Sequence, residues 1–199
     1  MPGSTVTISP EARTSSDFWA RRGPSWTSSP TPWPSAWPNA SPRDAEIPAG
    51  TLCVVDWGAM LDGYASDCTR TYGTGGAVDP RDREVYELVL RAQEEALAAV
   101  RPGPTGREVD AVARAIIDAA GHAEHFGHGL GHGVGLEVHE APRLSRLGDA
   151  RLEAGNVVTV EPGVYIPGRG GVRIEDLVLV TEIGRDVLSS TTKALTTVG

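Results

Sequence analysis

Helical periodicity is confined to one block of this chain, with strand-type text on both sides, and that order limits the folds open to it. From Arg81 to Val100 the apolar residues Val85, Leu88, Val89, Ala92, Ala96 and Leu97 recur at three- and four-residue steps, the spacing of one helix face. Pro102-Gly103-Pro104 stops that helix, because a proline has no amide hydrogen to donate. Thr105 then opens a second helix as its N-cap, and Glu108, three residues on, completes a capping box. Val109, Val112, Ala113, Ile116 and Ile117 form its apolar face and Gly121 supplies the exit. Ahead of this block stand TLCVVDWGAML and YASDCTRTY, separated at Asp62-Gly63, a strong turn dipeptide. After it come HFGHGLGHGVGLEVHE, NVVTVEPGVYI and GVRIEDLVLVTEIG. A hairpin, two helices and several further strands predict an α+β fold, with helices packed on one face of a mainly antiparallel sheet.

The 199 residues suffice for one domain with a sizeable core. A formal net charge of −8 argues against nucleic acid or an anionic membrane surface as partner, since both require clustered Lys and Arg. No run approaches the roughly 20 apolar residues needed to span a bilayer. The N-terminal text lacks the apolar stretch of a secretory signal, so a cytoplasmic location is expected. Cys53 and Cys68 have no metal-type spacing and are expected as free thiols. Residues 1–46 form an irregular lead-in rich in Pro, Trp and Ser: nine of the fifteen prolines fall within the first 50 positions, a density that excludes a regular helix or a central strand. Residues 47–199 are expected to be the working domain.

The chemistry lies in the strand-like segments, where ionisable residues stand in apolar context. Asp56 follows Leu52-Cys53-Val54-Val55, and Asp67 lies in the second run of the hairpin. Folding at Leu61–Gly63 brings the two carboxylates close across the ladder, where they would repel unless a cation or proton lay between them. All five histidines, His122, His125, His128, His132 and His139, fall within eighteen residues of glycine-rich text. Neutral imidazole is the commonest metal ligand; His122 and His125, at the helix exit, are left out of the candidate set. Glu161 interrupts VVTVEPGVYI, and Glu175 interrupts GVRIEDLVLV with Arg173 two residues before it on the same strand face. Four acids and a histidine make a mixed carboxylate–imidazole donor set suited to Mn²⁺, Fe²⁺, Co²⁺ or Zn²⁺. So many anionic ligands suggest two ions about 3.5–4 Å apart.

DWGAMLDGYASDCTRT, HGLGHGVGLEVHE, VVTVEPGVYI and GVRIEDLVLVT resemble the motifs of the pita-bread metallopeptidases, in particular the Xaa-Pro aminopeptidase and prolidase branch. The resemblance runs from Ile47 to the C-terminus. It implies a curved, mainly antiparallel sheet with helices on its outer face, incomplete at the N-terminus. It also implies that Asp56 chelates one of two divalent ions, that Asp67 and Glu175 bridge both, and that His132 and Glu161 complete the other shell. Mn²⁺ is the first expectation for the ions, with Co²⁺, Fe²⁺ or Zn²⁺ as alternatives. Glu161 would shuttle the proton of the attacking water to the leaving prolyl nitrogen, and His128 and His139 would line the substrate pocket, His139 against the scissile carbonyl. Arg173 would hold the bridging Asp67 and face the substrate pocket. The implied reaction hydrolyses the bond between an N-terminal residue and a following proline in short peptides; the oligomeric state is open, a homodimer being one of the alternatives.

The chain also departs from that family. The branch carries a further N-terminal domain, whereas only about fifty residues precede Asp56 here. Asn39 stands where the family has a substrate-contacting histidine. Two rival functions follow: a sister specificity such as methionine aminopeptidase, against which DCTRT and GVRIED argue, and a non-catalytic relative.

Overall fold

The computed structural model describes residues 47–199, so the Pro-rich lead-in, its expected boundary and Asn39 lie outside the described residues. The hairpin forms with a more elaborate tip than expected. Strand β1 (Leu52–Trp57) leads into a short ribbon, β2 (Met60–Leu61) and β3 (Tyr64–Ala65), before the return strand β4 (Cys68–Thr74). Asp62 and Gly63 close the ribbon with φ of 50° and 88°, the positive pair that a tight two-residue hairpin turn requires. β1 and β4 pair antiparallel, with Asp56 opposite Thr69.

The two helices follow. Helix α1 (Pro80–Ala99) starts one residue earlier than its periodicity indicated, because Asp79 caps it by accepting from the Arg81 amide at 2.8 Å and Pro80 fits the first turn. In α2 (Gly106–Ala119) both arms of the Thr105–Glu108 capping box are made. Past a single 3₁₀ turn at Ala123–His125 come β5 (Gly131–Gly133), β6 (Glu140–Leu144), β7 (Val157–Val160), β8 (Gly163–Ile166), β9 (Gly170–Arg173), β10 (Asp176–Val180), β11 (Arg185–Val187) and β12 (Thr197–Val198).

Hydrogen bonding arranges the strands as a five-stranded sheet in the order β11-β10-β7-β5-β6, a three-stranded sheet β1-β4-β12, and the ribbons β2-β3 and β8-β9. Among the described residues every pair is antiparallel except β4 with β12, so the α+β, mainly antiparallel expectation holds. Two segments expected as single strands are each broken. Glu161-Pro162 separates β7 from β8, and Ile174-Glu175 separates β9 from β10. The helices bury Tyr86, Val89, Ala92, Val109, Ala113 and Ile117 against Leu130, Leu144, Val158, Val172, Ile174 and Val178 of the strand layer and its flanks. Each buried Val, Leu or Ile among them contributes about 1.5–3 kcal/mol.

Candidate metal centre

The strand breaks place the acids. Asp56 is the next-to-last residue of β1, Asp67 immediately precedes β4, Glu161 immediately follows β7, and Glu175 occupies the gap between β9 and β10. At a strand end a side chain is freed from ladder alternation and can turn toward a common point. His132 is the central residue of β5, and it depends on the small residue before it. A Cβ on Gly131 would lie 2.0 Å from the Thr159 carbonyl oxygen, so only glycine lets β5 come this close to β7.

All five expected ligands converge. Three overlapping groups, Asp56–Asp67–Glu175, His132–Glu161–Glu175 and Asp67–His132–His139, each offer donor atoms within 4.8 Å of one another. His132 Nε2 lies 3.1 Å from Glu161 Oε1 and 3.8 Å from Asp67 Oδ2. His139 belongs to the same cluster, its ring centroid 4.1 Å from that of His132. His122 and His125, excluded from the candidate set, face each other instead, Nδ1 to Nδ1 at 2.9 Å.

The carboxylates of this cluster are shifted in opposite directions. Burial, followed by the charges of Asp56 and Glu161, pushes the Asp67 carboxyl up to about 7. Burial and the neighbouring Glu161 and Asp67 raise Glu175 well above the usual carboxylate range. Glu161 moves the other way: burial would raise it, but the hydrogen bond and charge of His132, with His128 and Arg173, outweigh that and hold it low. His132 is raised correspondingly, its contacts with Glu161 overcoming burial. Carboxylates packed this closely need a proton or a cation between them.

A set of hydroxyls holds the donors in place. Thr69 donates to Glu175 Oε2 at 2.7 Å and accepts from Arg173 Nε at 3.1 Å. Thr159 donates to Glu161 Oε1 and accepts from the His132 amide, each at 3.1 Å. Arg173 departs from expectation. The carboxylate it grips is Asp56, Nη2 to Oδ2 at 2.6 Å, rather than Asp67, because β9 packs against β1; its charge still acts on Asp67, lowering it. Arg173 also donates to the Tyr165 hydroxyl at 2.9 Å. Half of the Asp56 side chain remains exposed, at 47%.

His128 is anchored through Nδ1, 2.7 Å from the Gly129 carbonyl, and burial lowers its pKa. Two buried polar atoms among the described residues have no hydrogen-bond partner, His128 Nε2 and Glu175 Oε1. An orphaned carboxylate oxygen among four acids and two imidazoles is what a cation-binding donor set leaves exposed to its ligand. The residues present therefore fit divalent metal.

Comparison with known proteins gives the family. Residues 18–182 match metallopeptidase family M24. The chain belongs to that family. The M24 chain is 49% identical over 152 residues to the Xaa-Pro dipeptidase of Pyrococcus furiosus, an overlap of 76% of this chain and 43% of that protein. It superposes on the prolidase of Pyrococcus horikoshii with a TM-score of 0.79 at 47% identity, over 81% of this chain and 46% of that one. For the Xaa-Pro dipeptidase of Bacillus anthracis the values are 0.80 and 45%, over 82% and 46%. It thus spans less than half the length of the relatives it matches, and it shares their pita-bread fold.

Several residues that serve the M24 site were not singled out from sequence. Thr69 and Thr159 carry no charge to attract notice. Asp110 and Arg114 had a visible signal, an opposite-charge pair four residues apart on a helix. They form a bidentate pair with both bonds at 2.8 Å, and they reach the loop before β5. Arg114 donates to the carbonyls of Phe126 and His128, and the Leu130 amide donates to Asp110. That clamp aims the segment carrying His128 and His132.

Proposed function

We propose that residues 47–199 are the catalytic domain of an Xaa-Pro dipeptidase, which hydrolyses the bond between an N-terminal residue and a following proline in short peptides. The observation that carries this reading is the meeting of Asp56, Asp67, His132, Glu161 and Glu175 within three overlapping groups of donor atoms. These five side chains would hold two divalent ions, Mn²⁺ first. When bound, such ions polarise the scissile carbonyl and lower the pKa of an attacking water.

The residues of the chain supply the rest. Glu161, held ionised by His132, accepts the proton of the attacking water and delivers it to the departing prolyl nitrogen, which cannot leave unprotonated. His139 donates to the oxygen on which negative charge develops. His128 presents its unpartnered Nε2 to the substrate. Arg173 fixes Asp56 and limits how far that half-exposed carboxylate can swing. No helix among the described residues is long and apolar enough to cross a membrane, and the reading places the enzyme in the cytoplasm, as a homodimer.

Metal analysis of the purified chain combined with hydrolysis of Ala-Pro and Met-Ala peptides tests it. Two equivalents of metal with preference for Ala-Pro support the proposal. Preference for Met-Ala favours a methionine aminopeptidase specificity. Metal without hydrolysis of either peptide makes the chain a non-catalytic member.

A further inference from the structure

Strand β4 separates the metal centre from a second buried charge cluster. Its side chains alternate, so that Thr69 and Thr71 face β9 and the carboxylates while Arg70 points the opposite way. Arg70 is 1% exposed. It donates to Asp176 Oδ1 at 2.8 Å, to the Thr191 and Thr192 carbonyls at 2.7 and 3.0 Å, to the Thr69 carbonyl at 2.9 Å, and to the carbonyl of Glu175. Asp176, also 1% exposed, receives two more donors on Oδ2. These are Gln93 Nε2 from α1 at 3.0 Å and Lys193 Nζ at 2.9 Å, and the same ammonium reaches Gln93 Oε1 at 2.9 Å. Tyr86 of α1 fastens the segment from its other side, its hydroxyl donating to the Lys193 carbonyl at 2.9 Å.

Asp176 follows Glu175 directly, and the two carboxylates point into different clusters. Glu175 is the donor with most reason to turn away from its site, because it is fully buried, surrounded by Asp56, Asp67 and Glu161, and has one oxygen without a partner. Its side chain is held by a single hydroxyl, that of Thr69. Its backbone is pinned at the amide by the Thr69 carbonyl at 3.1 Å and at the carbonyl by Arg70. Asp176 Oδ1 in turn holds the Arg70 guanidinium that grips the Glu175 carbonyl, and Lys193 is one of the donors that fix Asp176.

The geometry points to Lys193 as a positioning residue for the metal centre. The 191–193 segment is a strap whose ammonium locks Asp176 and thereby aims Glu175 at the ions. This rests on the metallopeptidase reading of the site. Lys193 touches none of the proposed ligands and is 24% exposed, so its loss leaves Asp176 two donors and spares the fold.

The test is calorimetric titration of the chelator-stripped full-length chain with MnCl₂, comparing the unaltered protein, Lys193→Met and a core truncation remote from the site, Val100→Ala, chosen for an equal or greater loss of unfolding temperature. The expected result is about a tenfold weaker affinity for Mn²⁺ in Lys193→Met, with Val100→Ala retaining the affinity of the unaltered chain. A Lys193→Met isotherm that superposes on the unaltered one overturns the inference and leaves the metallopeptidase reading standing. Equal weakening in both variants also overturns it, by showing general loosening. An unaltered chain that takes up no Mn²⁺ overturns the metallopeptidase reading, and the strap with it.

Discussion

Glu175 and Asp176 are consecutive, both 1% exposed, and belong to opposite kinds of charge cluster. Around Asp176, Arg70, Lys193 and Gln93 supply a donor to each carboxylate oxygen. Around Glu175, three further carboxylates crowd in and one oxygen has no partner at all. Buried charge is tolerated only when it is compensated. The first cluster is compensated by the chain itself and needs nothing more to be stable. The second is not, and its imbalance has the sign and the donor types of a cation site. The same fold therefore holds one charge set that stabilises it and another that is costly without a ligand.

If that division is right, damage to the two clusters should be read by different measurements. The largest effect expected is on turnover. Glu161→Gln should lower hydrolysis of Ala-Pro by about a thousandfold, because the amide cannot accept the proton, with the circular dichroism spectrum unchanged. His139→Ala should reduce turnover less and keep bound metal. Equal metal loss in both variants would contradict the separate roles given to these two residues.

Next in size are effects on stability, and here the clusters should differ in sign. Arg70→Met strands Asp176 and its network, and should cost about 3–5 kcal/mol in denaturant unfolding. Glu175→Gln, measured with chelator present, removes a repelled charge and should raise the unfolding midpoint, whereas with metal present it should lower it. A Glu175→Gln chain that is less stable under both conditions would erase the distinction.

A smaller, pH-dependent signature belongs to Asp67. Its carboxyl sits at about 7 in the folded chain against 3.8 ordinarily. The folded state thus binds the proton more tightly, which favours folding below about pH 4, and this advantage disappears as pH rises through about 7. Metal-free protein should accordingly lose stability relative to Asp67→Asn as pH climbs across that window, and saturating Mn²⁺ should abolish the divergence. Melting curves at pH 4, 5.5, 7 and 8 with and without chelator would show it.

The two clusters also differ in how far the sequence disclosed them. The α+β order was legible because helical periodicity and the Thr105–Glu108 box are local signals, and the four acids because an acid in apolar strand text is conspicuous; His132 stood out among five clustered histidines only through the family resemblance. The exact strands were not: Glu161-Pro162 and Ile174-Glu175 read as interior positions, and only the ladder partners reveal that the strands end there. Arg173 was placed on the right face, but its partner Asp56 lies 117 residues away, and a spacing rule within one strand cannot choose between two carboxylates on another. The Asp176 cluster was invisible. Arg70, Gln93 and Lys193 stand 106, 83 and 17 residues from Asp176, and each looks like an ordinary polar residue until β4, α1 and the last segment are packed together.

The smallest expected effect sets the baseline for the rest. Arg107 and Asp149 also form an ion pair, with side chains 54% and 76% exposed. Water already solvates both groups, so attraction gained on pairing is nearly cancelled by the solvation and side-chain freedom lost. Arg107→Ala should shift unfolding by less than about 0.5 kcal/mol and leave Mn²⁺ affinity and turnover unchanged. A large loss there would mean that opposite charge alone, buried or not, stabilises this chain. The contrast between the two clusters would then reflect how many charges each contains rather than whether each is compensated.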